Sequence, residues 1–151
     1  MTPDQPATPE TAVVGTVLPA FTRTPGFAHW NRYAAVNDEF VPIHMDDAEG
    51  IRAGYPSAIG MGRLQWSYVH VMLRQWLAGR GEITRVSLQF RRPNLRGVPI
   101  RVEATVSAVR TTARGREIDL NVQITDDSGD LLAPGSATVV LAAATGNVAP
   151  M

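Results

Sequence analysis

Two carboxylates, a proline and a histidine stand close together in residues 33–46, Tyr-Ala-Ala-Val-Asn-Asp-Glu-Phe-Val-Pro-Ile-His-Met-Asp, a stretch without an evident helix or strand pattern. Pro42 interrupts regular helix between acid and imidazole, so Asp38 or Glu39 can be folded back to face the same point as His44. One group that takes a proton beside another that gives or relays one, both near neutral pKa after partial burial, suits the activation of water against a neutral substrate. Glu39 or Asp38 would be the first group and His44 the second. The same residues also read as a capping Asp38, a solvated Glu39 and a satisfied loop histidine, so the rest of the chain has to decide.

The bulk properties narrow the classes. With 151 residues, 44% of them hydrophobic, the chain is sized for one domain with a real core and is too short for two. A formal net charge of zero argues against a nucleic-acid partner. No apolar run approaches the roughly 20 residues needed to cross a bilayer, which argues against a membrane partner. The absence of cysteine removes disulfides, thiolate nucleophiles and sulfur metal sites, and fits a cytoplasmic protein; no metal site is expected. All fourteen basic residues are arginine, which excludes Schiff-base chemistry at a lysine. The Pro- and Thr-rich start lacks the charge and apolar core of a signal peptide, so a disordered tail over 1–15, a domain over 16–143 and a second loose tail over 144–151 are expected.

The elements that must position the candidate residues follow from periodicity. Trp66, Val69, Met72, Leu73 and Trp76 recur at spacings of three and four, which predicts one largely buried helix over Ile59 to Leu77 with Gly79 as its C-cap. Residues 82–92, 98–112, 115–126 and 131–142 are strand-like and rich in Val, Ile, Leu and Thr. Turn signals at Pro93-Asn94, Gly97, Gly115, Asp127-Ser128-Gly129 and Pro134-Gly135 interrupt or separate them. Val86, Leu88 and Phe90 alternate with Arg85, Ser87 and Gln89, giving that strand one dry face and one wet face. An antiparallel meander curved around one long central helix, an α+β architecture, is the economical arrangement.

From about Leu18 to Leu141 the chain resembles the MaoC-like dehydratases, the (R)-specific enoyl-CoA hydratase group of hot-dog folds. The family signature is an aromatic-Ala start, then Ser-Gly-Asp, a variable residue, Asn-Pro, an aliphatic residue and His, with Asp close behind. Tyr33-Ala34, Phe40, Pro42, Ile43, His44 and Asp46 occupy matching places here. Asn37 takes the Ser place, Asp38 the Gly place and Val41 the Asn place, while the catalytic Asp slot holds Glu39 in ungapped register. A one-residue bulge would put Asp38 there instead.

The resemblance implies the rest of the site. Gly60-Met61-Gly62 stands where the family's His-Gly-Met element opens the central helix, with Gly62 in the glycine's place. Free N–H groups in a first helical turn stabilise an oxyanion, and glycine lets a thioester carbonyl come close. His70 falls where relatives can carry a polar side chain, Asn37 and Gly60 belong to the substrate-contacting segments, and Arg91-Arg92 before Pro93 resemble a strand-end segment able to meet coenzyme A phosphates. His29 has no nameable partner and reads as structural. The implied reaction is that of a hydro-lyase: syn addition of water to a trans-2-enoyl thioester, or its reversal. No cofactor is implied beyond coenzyme A or an acyl carrier as the substrate's own handle, and a homodimer or a heterodimer with another hot-dog subunit is expected. A hot-dog thioesterase and a non-catalytic acyl-binding subunit of a heteromeric dehydratase are the rival readings.

Overall fold

The computed structural model of the chain describes residues 6–142. Three strands, β3 (Ile100–Thr112), β4 (Gly115–Asp126) and β5 (Leu131–Leu141), form consecutive antiparallel hairpins. Their alternating Val, Ile and Leu residues put one side chain in two on the inner face. Val102, Val106, Ile118, Leu120, Ile124 and Val139 are each almost fully buried there. The Asp126 carboxylate closes the β4–β5 turn by accepting from the N–H groups of Ser128 and Asp130.

The expected meander is correct for these three strands only. β2 (Gly81–Leu88) precedes β3 in the chain but pairs with β5, and a short β1 (Phe21–Arg23) pairs with β3, so the sheet order is β1-β3-β4-β5-β2. Residues 89–99 between β2 and β3 are too long a connection for a tight hairpin and carry the chain across the sheet. Pro134-Gly135, read as a turn, lies inside β5. Gly135 is there for space: a Cβ on it would meet the Ser87 carbonyl oxygen of the neighbouring strand at 2.0 Å.

The sheet curls around α3 (Gly62–Leu77), whose Leu64, Tyr68, Val69, Met72, Leu73, Trp76 and Leu77 are buried. This helix begins three residues later than its periodicity predicts. Ile59 is held in extended backbone, bridging to Leu95 and donating its N–H to Ile43 O at 3.0 Å. At the other end the left-handed C-cap is Ala78, with Gly79 following it, also at positive φ. Trp66 was expected on the buried face but is 40% exposed; it lies beside the edge strand, with Nε1 donating to Val86 O at 3.3 Å.

Two helices were not expected. α1 (Phe27–Asn37) enters the acid-bearing stretch and buries Trp30 and Ala34, while α2 (Asp47–Arg52) follows it, N-capped by Asp46 through Ala48 N at 2.6 Å. Of the tail expected at the start, residues 6–15 lie against the domain. Ala7 O accepts from Trp76 Nε1 at 3.0 Å, Ala12 is fully buried, and Gly15 donates to Val106 O at 2.9 Å. The tail expected over 144–151 lies outside the described residues, as do residues 1–5. Among the described residues no helix is long and apolar enough to cross a membrane.

Candidate active site

The segment that carries the acid and the histidine is shaped by local chemistry. Asp38 ends α1 in the left-handed conformation at φ 52°, its N–H donating to Ala34 O, and its carboxylate is exposed. Asn37 Nδ2 turns back to Tyr33 O at 2.9 Å. That reversal sends the next residue inward: the Glu39 side chain is 27% exposed, and its Oε2 is buried with no hydrogen-bond partner, 3.9 Å from Arg63 Nη1. Val41 is extended, as a residue before proline tends to be, and Pro42 opens a single 3-10 turn over Pro42–His44.

His44 is oriented by one contact from far along the chain. Its Nδ1 lies 2.8 Å from Ile59 O. A carbonyl can only accept, so in the neutral ring Nδ1 carries the hydrogen and Nε2 keeps the lone pair of a base. The loop that supplies Ile59 is itself fastened. Asp47 accepts from Ala58 N at 3.0 Å and pairs with Arg96, whose guanidinium lies 4.7 Å from the Phe27 ring centroid.

The two glycines at the start of α3 are not equivalent. Gly60 N–H donates to Asn94 O at 2.7 Å. Gly62 is the first helical residue, and its N–H has no partner among the described residues. A Cβ on Gly62 would press on the Phe90 ring at 3.0 Å, so glycine gives that ring its room against the start of the helix. Phe90, expected on the dry face of a strand reaching 92, lies beyond the end of β2 and is 51% exposed.

A cleft of about 300 Å³ brings His44, Gly60, Gly62, Arg91 and Arg92 together, with Tyr55, Ile59, Gln65, Phe90 and Pro93 completing its walls. Glu39 and Asp38 do not line it; Glu39 sits against Arg63, the neighbour of Gly62. Asn37 lines a separate groove of about 610 Å³ between α1 and α3, together with His29, Tyr33 and Trp66. His70 lines a third cleft of about 560 Å³ with Arg74 and Glu82, packed on Trp66 with ring centroids 4.3 Å apart. Burial, and secondarily the Arg74 charge, hold its imidazole below the ordinary pKa of 6.5. Arg92 is tied to Asp130 at 2.8 Å, and Arg91 donates to Gln89 Oε1 at 3.2 Å. Gln65 and Phe90 escaped the sequence reading. A polar residue within the apolar stripe of α3 was the signal for Gln65; for Phe90 there was none, because its place depends on where β2 ends.

No family model matches the chain. An (R)-specific enoyl-CoA hydratase from Aeromonas caviae is 31% identical to it over 118 residues, covering 77% of this chain and 86% of that protein. The solved structure of an (R)-hydratase from A. caviae involved in PHA biosynthesis superposes with a TM-score of 0.79 at 27% identity, over 87% of this chain and 98% of the other. A MaoC-like dehydratase from Rhodospirillum rubrum shares the fold with a TM-score of 0.72 at 16% identity, over 96% and 99% of the two chains. The helix wrapped by a curled five-stranded sheet, and a relationship in sequence that spans most of both proteins, place the chain in the (R)-specific enoyl-CoA hydratase family of MaoC-like hot-dog proteins.

Proposed function

We propose that this protein adds water to trans-2-enoyl thioesters to give (R)-3-hydroxyacyl thioesters, and catalyses the reverse dehydration. The observation that carries the reading is the pairing, in one cleft, of an imidazole whose Nδ1–H is held by Ile59 O with the unpartnered N–H of Gly62. The first leaves Nε2 as a base, and the second is a donor where negative charge develops on a thioester oxygen.

In this mechanism a water lies between the Glu39 carboxylate and His44 Nε2. Its oxygen bonds to C3 as the pair takes up one proton, and the pair delivers a proton to C2 on the same face. The enolate-like oxygen rests on Gly62 N–H until C2 is protonated. Burial of the Glu39 carboxylate beside Arg63, against the exposed Asp38, favours Glu39 as the acid–base partner. The step requires no metal or redox cofactor; coenzyme A or an acyl carrier is the handle, with Arg91 and Arg92 at the cleft's rim for its phosphates. A second hot-dog subunit, identical or related, belongs to this reading. β2 is a sheet edge paired on one side only, and such edges are normally covered.

The test is hydration of crotonyl-CoA, followed by loss of the conjugated thioester absorbance and by a thiol reagent in parallel. Glu39→Gln is expected to lower kcat/KM by about a thousandfold and Asp38→Asn by less than about threefold. Release of free thiol in step with absorbance loss would make the protein a thioesterase instead. Turnover by a complex with a second hot-dog subunit, left unchanged by His44→Ala in this chain, would reduce it to a non-catalytic acyl-binding subunit. An inactive Asp38→Asn beside a fully active Glu39→Gln would shift the register by one residue.

A further inference from the structure

Gln65 is 3% exposed, and its Oε1 is buried without a hydrogen-bond partner. Every other buried side chain on α3 is apolar except Tyr68, so packing alone does not call for an amide at this position. Gln65 lines the cleft that holds His44 and Gly62. It stands three residues after Gly62, and helical side chains lean back over the turn that precedes them. Its carboxamide therefore lies over the turn that begins with the free Gly62 N–H. Oε1 is the enclosed end of the amide, while Nε2 is not enclosed and has no hydrogen-bond partner among the described residues, so the NH2 is free to donate into the cleft. An amide donor is uncharged at every pH and does not compete with Glu39 and His44 for the proton in transit.

We propose that Gln65 is a catalytic residue: its side-chain NH2 is a second donor, beside Gly62 N–H, to the thioester carbonyl oxygen of the substrate. Its effect on rate rests on the hydratase reading given above; its effect on thioester binding does not. Two donors converging on one oxygen fix the plane of the thioester, and with it the face of C2 and C3 presented to the acid–base pair. They also hold charge that grows on the oxygen in the transition state, so the contact is stronger there than in the ground state.

Calorimetric titration with butyryl-CoA and with S-butyl-CoA, a thioether lacking the carbonyl, tests the contact apart from turnover. Wild type is expected to bind the thioester about tenfold more tightly than the thioether. Gln65→Met, an apolar residue of similar length, should remove most of that preference while leaving thioether affinity within about twofold. Gln65→Asn keeps an amide in the core but withdraws it by one methylene, and should lose the preference likewise, so the result does not hang on one variant folding. In crotonyl-CoA hydration, Gln65→Met should cut kcat about a hundredfold while KM rises by no more than the roughly tenfold lost in thioester affinity, a split that a merely structural residue would not give. Retention of the thioester preference by both variants overturns the proposal. A wild type that binds the thioester preferentially but hydrates nothing would sink the hydratase reading and leave Gln65 as a thioester contact.

Discussion

His44 and His70 are both partly buried imidazoles in clefts of the same small domain, and the structure treats them in opposite ways. His44 has a carbonyl on Nδ1, 2.8 Å away, that fixes its tautomer and aims the other nitrogen. His70 is held by packing on Trp66; its Nε2 is buried with no partner, and burial holds its imidazole below the ordinary pKa. Residue type and burial are common to both. The difference lies in an orienting hydrogen bond from a separate segment, which in the proposed mechanism makes His44 the directed base.

The sharpest break of this comparison is kinetic. His44→Ala should lower kcat/KM for enoyl-CoA hydration by about a thousandfold, whereas His70→Ala should leave it within about threefold. Equal losses would mean that orientation is not what separates the two residues. Next in size is the contrast between the two faces of α3. Leu73→Ala empties a fully buried position and should cost about 2–5 kcal/mol in chemical denaturation, while Trp66→Ala, on the outward face, should cost less than half as much.

A pH effect of lesser size follows from His70. A base whose pKa is lowered on folding stays neutral when packed, and the unfolded chain binds the proton first. Stability is therefore fully present above about 6.5, the ordinary value, and falls as the pH drops below it toward the lowered folded value. His70→Leu should flatten the decline in melting temperature between about pH 6.5 and pH 5; an unchanged slope would remove His70 as the cause. Asp119 acts at lower pH. Hydrogen bonds from Arg110 and Thr138 hold its carboxyl below the ordinary 3.8, so its contribution is present above that value and is lost only as the pH falls through the lowered one. The smallest effect belongs to the exposed side of that group. Arg110→Ala should leave the chemical-denaturation midpoint nearly unchanged, because the guanidinium is exposed to solvent.

The strands and α3 were legible because their burial is periodic: every second residue on β3 and β4, every third or fourth on α3, faces one core. α1 was not. Its N-cap Gly26 offers no side-chain cap, its first turn carries no acid, and only Trp30 and Ala34 are buried on it, so its place depends on what it packs against. Pro134-Gly135 misled for a related reason. A glycine demanded by a neighbouring strand's carbonyl looks, along the chain, the same as one demanded by a turn.

The candidate site divides in the same way. His44 could be picked from residue types and spacing and Gly62 from the family resemblance, while Gln65 and Phe90 acquire meaning only from which side of α3 meets the cleft. Chain chemistry alone determined that regular helix would break at Pro42, between the acids and His44, since a pyrrolidine ring restricts its neighbours wherever it sits. Three matters were decided only by the folded whole: which carboxylate turns inward, which distant carbonyl grips the imidazole, and which of two glycine amides stays free once Asn94 O takes the other. Each is a competition among groups far apart in the chain for one donor, one acceptor or one buried place, and no local rule ranks the competitors until packing has brought them together.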